Sequence, residues 1–144
     1  MRIIGPAFNA AERAAAITAA RGCLGVPWRH MGRAGLPWGH SVGLDCIGLI
    51  GVAVHAAGRR WRDQAYGTEP NGTLLPLMDE HLGDRTGPLT CSVVAIRFAG
   101  QARHVALLTE EETLIHCYDG GPSRVVEHIF DETWRKRVVA GWAL

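Results

Sequence analysis

Apolar residues are arranged differently in the two halves of the chain, at helical spacing or in solid blocks up to about residue 82 and in short Val-, Ile- and Leu-rich runs after residue 88. Asn9-Ala10-Ala11-Glu12 reads as an N-cap with an acidic residue three positions on, opening an alanine-rich helix that runs to Arg21 and stops at Gly22. From 46 to 57 nearly every residue is apolar or small, which predicts a helix buried on most of its surface with Gly58 as its stop. Leu74–Leu82 predicts a short third helix with Pro76 in its first turn and Gly83 at its end. Beyond it, Ser92–Phe98, 103–109 and 113–118 read as strands, separated by turns at Gly100-Gln101 and at 110–112. That is an antiparallel meander. Residues 124–128 predict a fourth strand, 131–135 a helical turn and Val138–Ala143 a closing strand, so that helices precede sheet and the fold class is α+β.

Between the first two helices, residues 23–45 hold five glycines and two prolines, a composition that resists regular structure and lets backbones approach closely. A loop of this length in a small chain is commonly functional. With 144 residues, 47% of them hydrophobic and 20% charged, the chain is expected to form one domain, 1–144, with a real core. A net charge of +1 and scattered arginines exclude a long basic groove, and the cluster Arg59, Arg60 and Arg62 reads as a solvated face, so no nucleic-acid partner is expected. The longest apolar run, 47–57, is broken by His55 and too short to span a bilayer, and the N-terminus lacks the pattern of a signal peptide. No membrane insertion is expected. Cys23, Cys46, Cys91 and Cys117 form no Cys-x-x-Cys pair and read as free thiols of a reduced protein.

The chemistry centres on Gly43-Leu44-Asp45-Cys46-Ile47-Gly48-Leu49, where the loop ends and the central helix begins. A thiol in the first turn of a helix sits among unsatisfied N–H groups at the positive end of the macrodipole, which favours the reactive thiolate and sets Cys46 apart from an ordinary core cysteine. A cysteine nucleophile needs a base and a group to orient that base. If the second and third strands pair about a turn near Glu111, His104 and His116 fall nearly opposite on one face, where one ring can hold the other. The same pattern suits two satisfied sheet histidines. Cys46, His104, His116 and Cys117 are zinc-ligand types, but His116 and Cys117 face opposite ways on a strand, so no metal is expected. Neither a phosphate-binding Gly-Lys loop, a His-Glu-x-x-His nor a Gly-x-Ser-x-Gly occurs.

Four stretches in this order, Gly-Val-Pro-Trp-Arg-His-Met-Gly-Arg (25–33), Gly-Leu-Asp-Cys-Ile-Gly-Leu (43–49), Arg-His-Val-Ala-Leu-Leu (103–108) and Leu-Ile-His-Cys-Tyr (114–118), resemble the NlpC-type cysteine peptidases that cut peptidoglycan stem peptides. In particular they resemble the short, single-domain branch encoded with phage tails and gene transfer agents, and the resemblance extends from about residue 10 to the C-terminus. It implies a papain-like α+β fold with Cys46 as nucleophile at the start of the central helix, His104 as general base and acid, and His116 as the orienting third member. The implied reaction is hydrolysis of the amide between D-glutamate and a diamino acid, usually meso-diaminopimelate, without metal or cofactor. Asp45 would help hold the free amine of the stem peptide. Trp28 stands where the family usually has a tyrosine thought to contact the substrate or the oxyanion, and Cys91-Ser92 stands where Gly-Asp is common. His30 and Arg33 are candidate contacts for an acidic stem peptide, or members of a solvated loop; His40 and Ser41 shape the approach to the motif, and His55, His81 and His128 read as peripheral. The resemblance also implies phage-like tail or baseplate partners, with synthesis in the cytoplasm and action at the cell wall after carriage in a particle. A silent structural protein of the tail hub, or an amidase or acyltransferase on the same scaffold, are the alternatives.

Overall fold

The computed structural model describes residues 7–39, 42–64, 66–67, 72–87, 91–120 and 122–144, and in these α1 (Ala10–Arg21), α2 (Cys46–Ala56) and α3 (Leu74–Leu82) precede β1 (Ser92–Phe98), β2 (Gln101–Leu108), β3 (Thr113–His116), β4 (Val126–Ile129), the single turn α4 (Glu132–Arg135) and β5 (Val138–Ala143). The strands form one antiparallel sheet in the order β4-β3-β2-β1-β5, so the closing strand returns to the far edge beside β1. This is the α+β plan of helices packed on a sheet. Among the described residues no helix is long and apolar enough to cross a membrane.

Local chemistry explains most of the boundaries. Asn9 and Glu12 form a capping box, with Glu12 N donating to Asn9 Oδ1 at 2.8 Å and Asn9 N to Glu12 Oε1 at 3.0 Å. Asp45 caps α2 through Gly48 N at 2.8 Å. Several strand ends move from the sequence expectation, β3 stopping at His116 instead of 118, and two of the shifts have a visible cause. β2 begins at Gln101 because the turn is made by Ala99 and Gly100, both at positive φ. β4 begins at Val126 because Arg124 bridges instead to Pro27 in the long loop. Cys91 has φ 56°, the left-handed region in which the glycine common at this position in the resembled family sits without strain, and its thiol donates to Glu110 at 3.2 Å.

Alternation along the strands gives the sheet two buried faces. Val93, Ala95, Val105, Leu107 and Ile115 pack with Leu49, Ile50 and Val54 of α2 and with Ala16 and Ala20 of α1. Val94, Ile96, Ala106, Leu108 and Leu114 form a second cluster with Phe130, flanked by Phe98 and Trp134. Among its described residues the long loop has no helix or strand of its own, and isolated bridges hold it, Trp28 to Leu44 and Arg33 to Leu44. Glycine makes this possible. A Cβ on Gly32 would fall inside contact of the Gly43 carbonyl and Leu44 N, and one on Gly48 would strike the Gly32 carbonyl oxygen. Gly48→Ala is therefore expected to lower stability by about 1–3 kcal/mol through overpacking, although alanine is the better helix former, and urea denaturation will measure the sign.

Candidate active site

Asp45 and Cys46 sit where the loop turns into α2, and the Asp45 carboxylate takes donors from three segments. Its Oδ1 accepts from Gly48 N at 2.8 Å and from Arg33 Nη1 at 2.9 Å, and its Oδ2 accepts from Met31 N at 2.9 Å and from the Tyr66 hydroxyl. Arg33 also donates from Nε to Asp63 at 2.8 Å and from Nη2 to Tyr66 at 2.8 Å, while Trp38 and Trp61 donate to Asp63 at 2.7 and 2.9 Å. Burial works against the Arg33 charge, but Asp45, Tyr66 and Asp63 outweigh it and hold the guanidinium protonated. Burial, then the Asp45 charge, pushes the Tyr66 phenol up.

A cavity of about 440 Å³ opens beside this cluster, lined on the loop side by Trp28, His30, Asp45, Cys46 and Tyr66 and on the sheet side by Phe98, His104, Cys117 and Tyr118. The fold thus brings Cys46, His104, Asp45, Trp28 and His30 to one cavity. Arg33 is not among its lining residues. It is 5% exposed and lies behind Asp45, so the solvated-loop expectation gives way to a buried ion pair. His40 and Ser41 lie outside the described residues.

His104 Nε2 and His116 Nδ1 are 2.7 Å apart, both rings fully buried. The pairing differs in register from the sequence expectation: Leu107 opposes Ile115, so His116 lies diagonally across from His104, still on the same face. His128, expected at the periphery, continues the line, with its Nε2 2.7 Å from His116 Nε2. His81 is structural; it stacks on Trp61 at 4.2 Å and accepts from Arg62 N at 3.1 Å.

The electrostatics differ from those expected of a helix start. Cys46 is half-buried, and burial first, then the Asp45 carboxylate, pushes its thiol up to about 12 against the pull of the Val105 and Ile47 backbone N–H groups. The cap that starts the helix places a negative charge where the macrodipole would favour thiolate. Burial pushes His104 well below the ordinary imidazole value of 6.5, helped by His116, and pushes His116 down to about 3, helped by His128. The resting pair is a neutral thiol and a neutral imidazole. The Val105 N–H at the sulfur places Cys46 against the peptide that follows His104.

No family model and no curated protein matches this sequence. Solved structures do. The peptidoglycan hydrolase RipB of Mycobacterium tuberculosis is similar with a TM-score of 0.62 at 16% identity over 92% of this chain, which spans 64% of RipB. The P60 domain of an M. avium paratuberculosis antigen gives 0.61 at 14% identity, covering 93% of both chains. The fold is that of the NlpC/p60 domains. RipD of M. tuberculosis, described as a non-catalytic NlpC/p60 domain protein adapted to binding peptidoglycan, gives 0.60 at 16% identity over 92% of this chain and 97% of its own.

Sequence reasoning missed Tyr66, Asp63 and His128. Tyr66 and Asp63 lie in a polar segment without periodicity, and their bonds to Asp45 and Arg33 span 21 to 33 residues. His128 had a signal in the repeat of twelve residues that links it to His116 as His116 is linked to His104.

Two expectations follow. Arg33→Met leaves the buried Asp45 and the half-buried Asp63 without their cation and should cost about 3–5 kcal/mol in urea denaturation. The unfolded chain takes up histidine protons near pH 6.5, while folded His116 refuses its proton until about pH 3. Stability is therefore full above pH 6.5 and falls as pH drops towards 3. Denaturation midpoints should be lower at about pH 5 than at about pH 7.5, and His116→Gln should lessen the difference.

Proposed function

We propose that this chain is a cysteine peptidase that hydrolyses peptidoglycan stem peptides at the amide between D-glutamate and a diamino acid. The observation that carries the proposal is a single cavity lined by Cys46, at the first position of α2, and by His104, whose Nε2 is held by His116. That is a nucleophile, a base and an orienting group in the order the chemistry needs. The likeness in fold to RipB, a peptidoglycan hydrolase, supports the substrate class.

In the proposed reaction the Cys46 sulfur attacks the glutamyl carbonyl carbon as its proton passes to His104. His104 then gives that proton to the leaving amine, the C–N bond breaks, and a thioester remains. Water attacks the thioester, losing a proton to His104, and the thiol is restored as the C–S bond breaks and His104 returns the proton. Because the resting pair is neutral, thiolate forms during the attack instead of being stored. Asp45 lines the cavity with its acceptor positions taken by Met31 N, Arg33, Gly48 N and Tyr66, so it serves the site by fixing the start of α2 at Cys46 and not by a direct bond to a substrate amine. Arg33 acts there by fixing Asp45, and Trp28 and His30 contribute the remaining loop wall.

The sequence resemblance to the phage-tail and gene-transfer-agent branch supports a role in local wall degradation for a phage-like particle, with synthesis in the cytoplasm and delivery by the tail. The competing proposal is a silent wall-binding protein. It is favoured by the likeness to RipD and by the raised Cys46 thiol.

Digestion of diaminopimelate-type peptidoglycan, with products identified by mass, separates them. The wild type is expected to cut after D-glutamate, and Cys46→Ala to lose at least about a thousandfold in rate, as removal of a nucleophile does. Absence of cleavage by folded, reduced wild type would leave the binding role.

A further inference from the structure

His104 on β2, His116 on β3 and His128 on β4 are spaced twelve residues apart and hydrogen-bonded end to end. His104 Nε2 is 2.7 Å from His116 Nδ1, His116 Nε2 is 2.7 Å from His128 Nε2, and His128 Nδ1 is 3.0 Å from the backbone oxygen of Ile129. The proposed reaction uses the first two histidines and leaves the third unexplained.

The far end of this line fixes the direction of every bond in it. A carbonyl oxygen only accepts, so His128 donates to Ile129 from Nδ1–H. That is the single N–H of the neutral ring, so in its neutral form His128 carries a lone pair on Nε2 and accepts from His116 Nε2–H. His116 Nδ1 is then the lone-pair nitrogen and accepts from His104 Nε2–H. His104 is left with its lone pair on Nδ1. Burial keeps the two inner rings neutral, which is the condition for counting one proton on each.

The geometry points to His128 as a positioning residue that, anchored on the Ile129 carbonyl, sets the tautomers of His116 and His104 and so makes His104 Nδ1 the base. The role in catalysis rests on the peptidase proposal; the tautomers do not. With no acceptor at position 128, the opposite set becomes available: His116 protonated on Nδ1 donates to His104 Nε2, and His104 then carries its proton on Nδ1. A ring in that state cannot take a proton from a thiol at Nδ1. Aromatic neighbours oppose ring flips that would exchange the two nitrogens, with Tyr118 stacked on His116 at 5.2 Å and Trp134 at 5.0 Å from both His116 and His128.

The test is a long-range proton–nitrogen correlation spectrum of histidine-labelled protein, which reads the tautomer of each ring directly. The wild type should show Nε2–H at His104 and His116 and Nδ1–H at His128, and His128→Leu should shift the inner rings towards Nδ1–H. With a stem peptide as substrate, His128→Leu should lose about tenfold in kcat with KM held, and His128→Gln, whose amide oxygen reaches the Nε2 position, should recover most of the loss. A wild-type His104 protonated on Nδ1, or inner tautomers unmoved by His128→Leu, would overturn the inference. The wild-type spectrum needs no variant, so it decides even where a substituted chain fails to fold. If the wild type cleaves nothing, the peptidase proposal fails and the spectrum still shows whether position 128 sets the tautomers.

Discussion

The Asp45 carboxylate is the point on which the loop, the central helix and the buried arginine all converge. It accepts from Met31 N and Arg33 in the loop, from Gly48 N in α2 and from Tyr66 beyond the helix. A carboxylate taken out of water costs several kcal/mol, and the cost is offset only when its lone pairs are filled by donors in good geometry. Four donors from three segments meet that condition. They also locate the next residue, because a backbone that is extended at φ −104° and ψ −175° must turn into the helix at Cys46. The position of the sulfur follows from the cap. So does the shape of the loop, since Met31 N and Arg33 reach Asp45 only if the backbones of Gly32 and Gly43 lie closer than any side chain would permit.

The same carboxylate opposes the thiolate, and this shifts the burden of activation to the histidines. In the proposed reaction, proton transfer from Cys46 would create an imidazolium at His104, in surroundings that disfavour charge. What can stabilise it there is local. The Nε2–H of a charged His104 donates to His116 Nδ1 at 2.7 Å, a charge-assisted bond stronger than its neutral form. Phe98 and Tyr118 pack against the ring at centroid distances of 5.7 and 5.2 Å and hold it in place. The site thus favours charge that appears during the reaction over charge held in advance, the condition for lowering a barrier without stabilising the ground state.

The helices and most strands were legible because their signals are local. A capping box names the start of α1, apolar density names α2, and short runs rich in β-branched residues name β1 and β5. The register of β2 against β3 was less legible because it is set by Thr109 and Thr113. Thr109 N bonds Thr113 O at 2.9 Å and the two hydroxyls meet at 2.7 Å, which closes the turn on that pair. Arg33 shows the limit most clearly. A charged residue in a glycine-rich loop reads as solvated, and the two carboxylates that bury it are 12 and 30 residues away. No window of sequence contains that information. The cysteine and two histidines were legible by type and order, while the neutral resting state and the third histidine depend on burial and on β4.

Trp28 is the main departure from the resembled family at the cavity, and the chemistry required there limits what the change can do. Stabilising a developing oxyanion needs N–H or O–H donors fixed before the reaction. An indole donates one hydrogen bond and cannot accept or titrate, so replacing a tyrosine removes an acceptor and a proton, not the donor. The backbone that carries the indole is held on both sides, by Trp28 N donating to Ser123 O at 2.8 Å and by the bridge to Leu44, next to the Asp45 cap. Tyr66 is no substitute, because its hydroxyl already donates to Asp45 and accepts from Arg33. Trp28 lines the cavity, and any polar contact its side chain makes with a substrate there is as a donor and never as an acceptor. A carbonyl oxygen satisfies that donor, whereas a substrate N–H or O–H pointed there would lose its partner and be selected against.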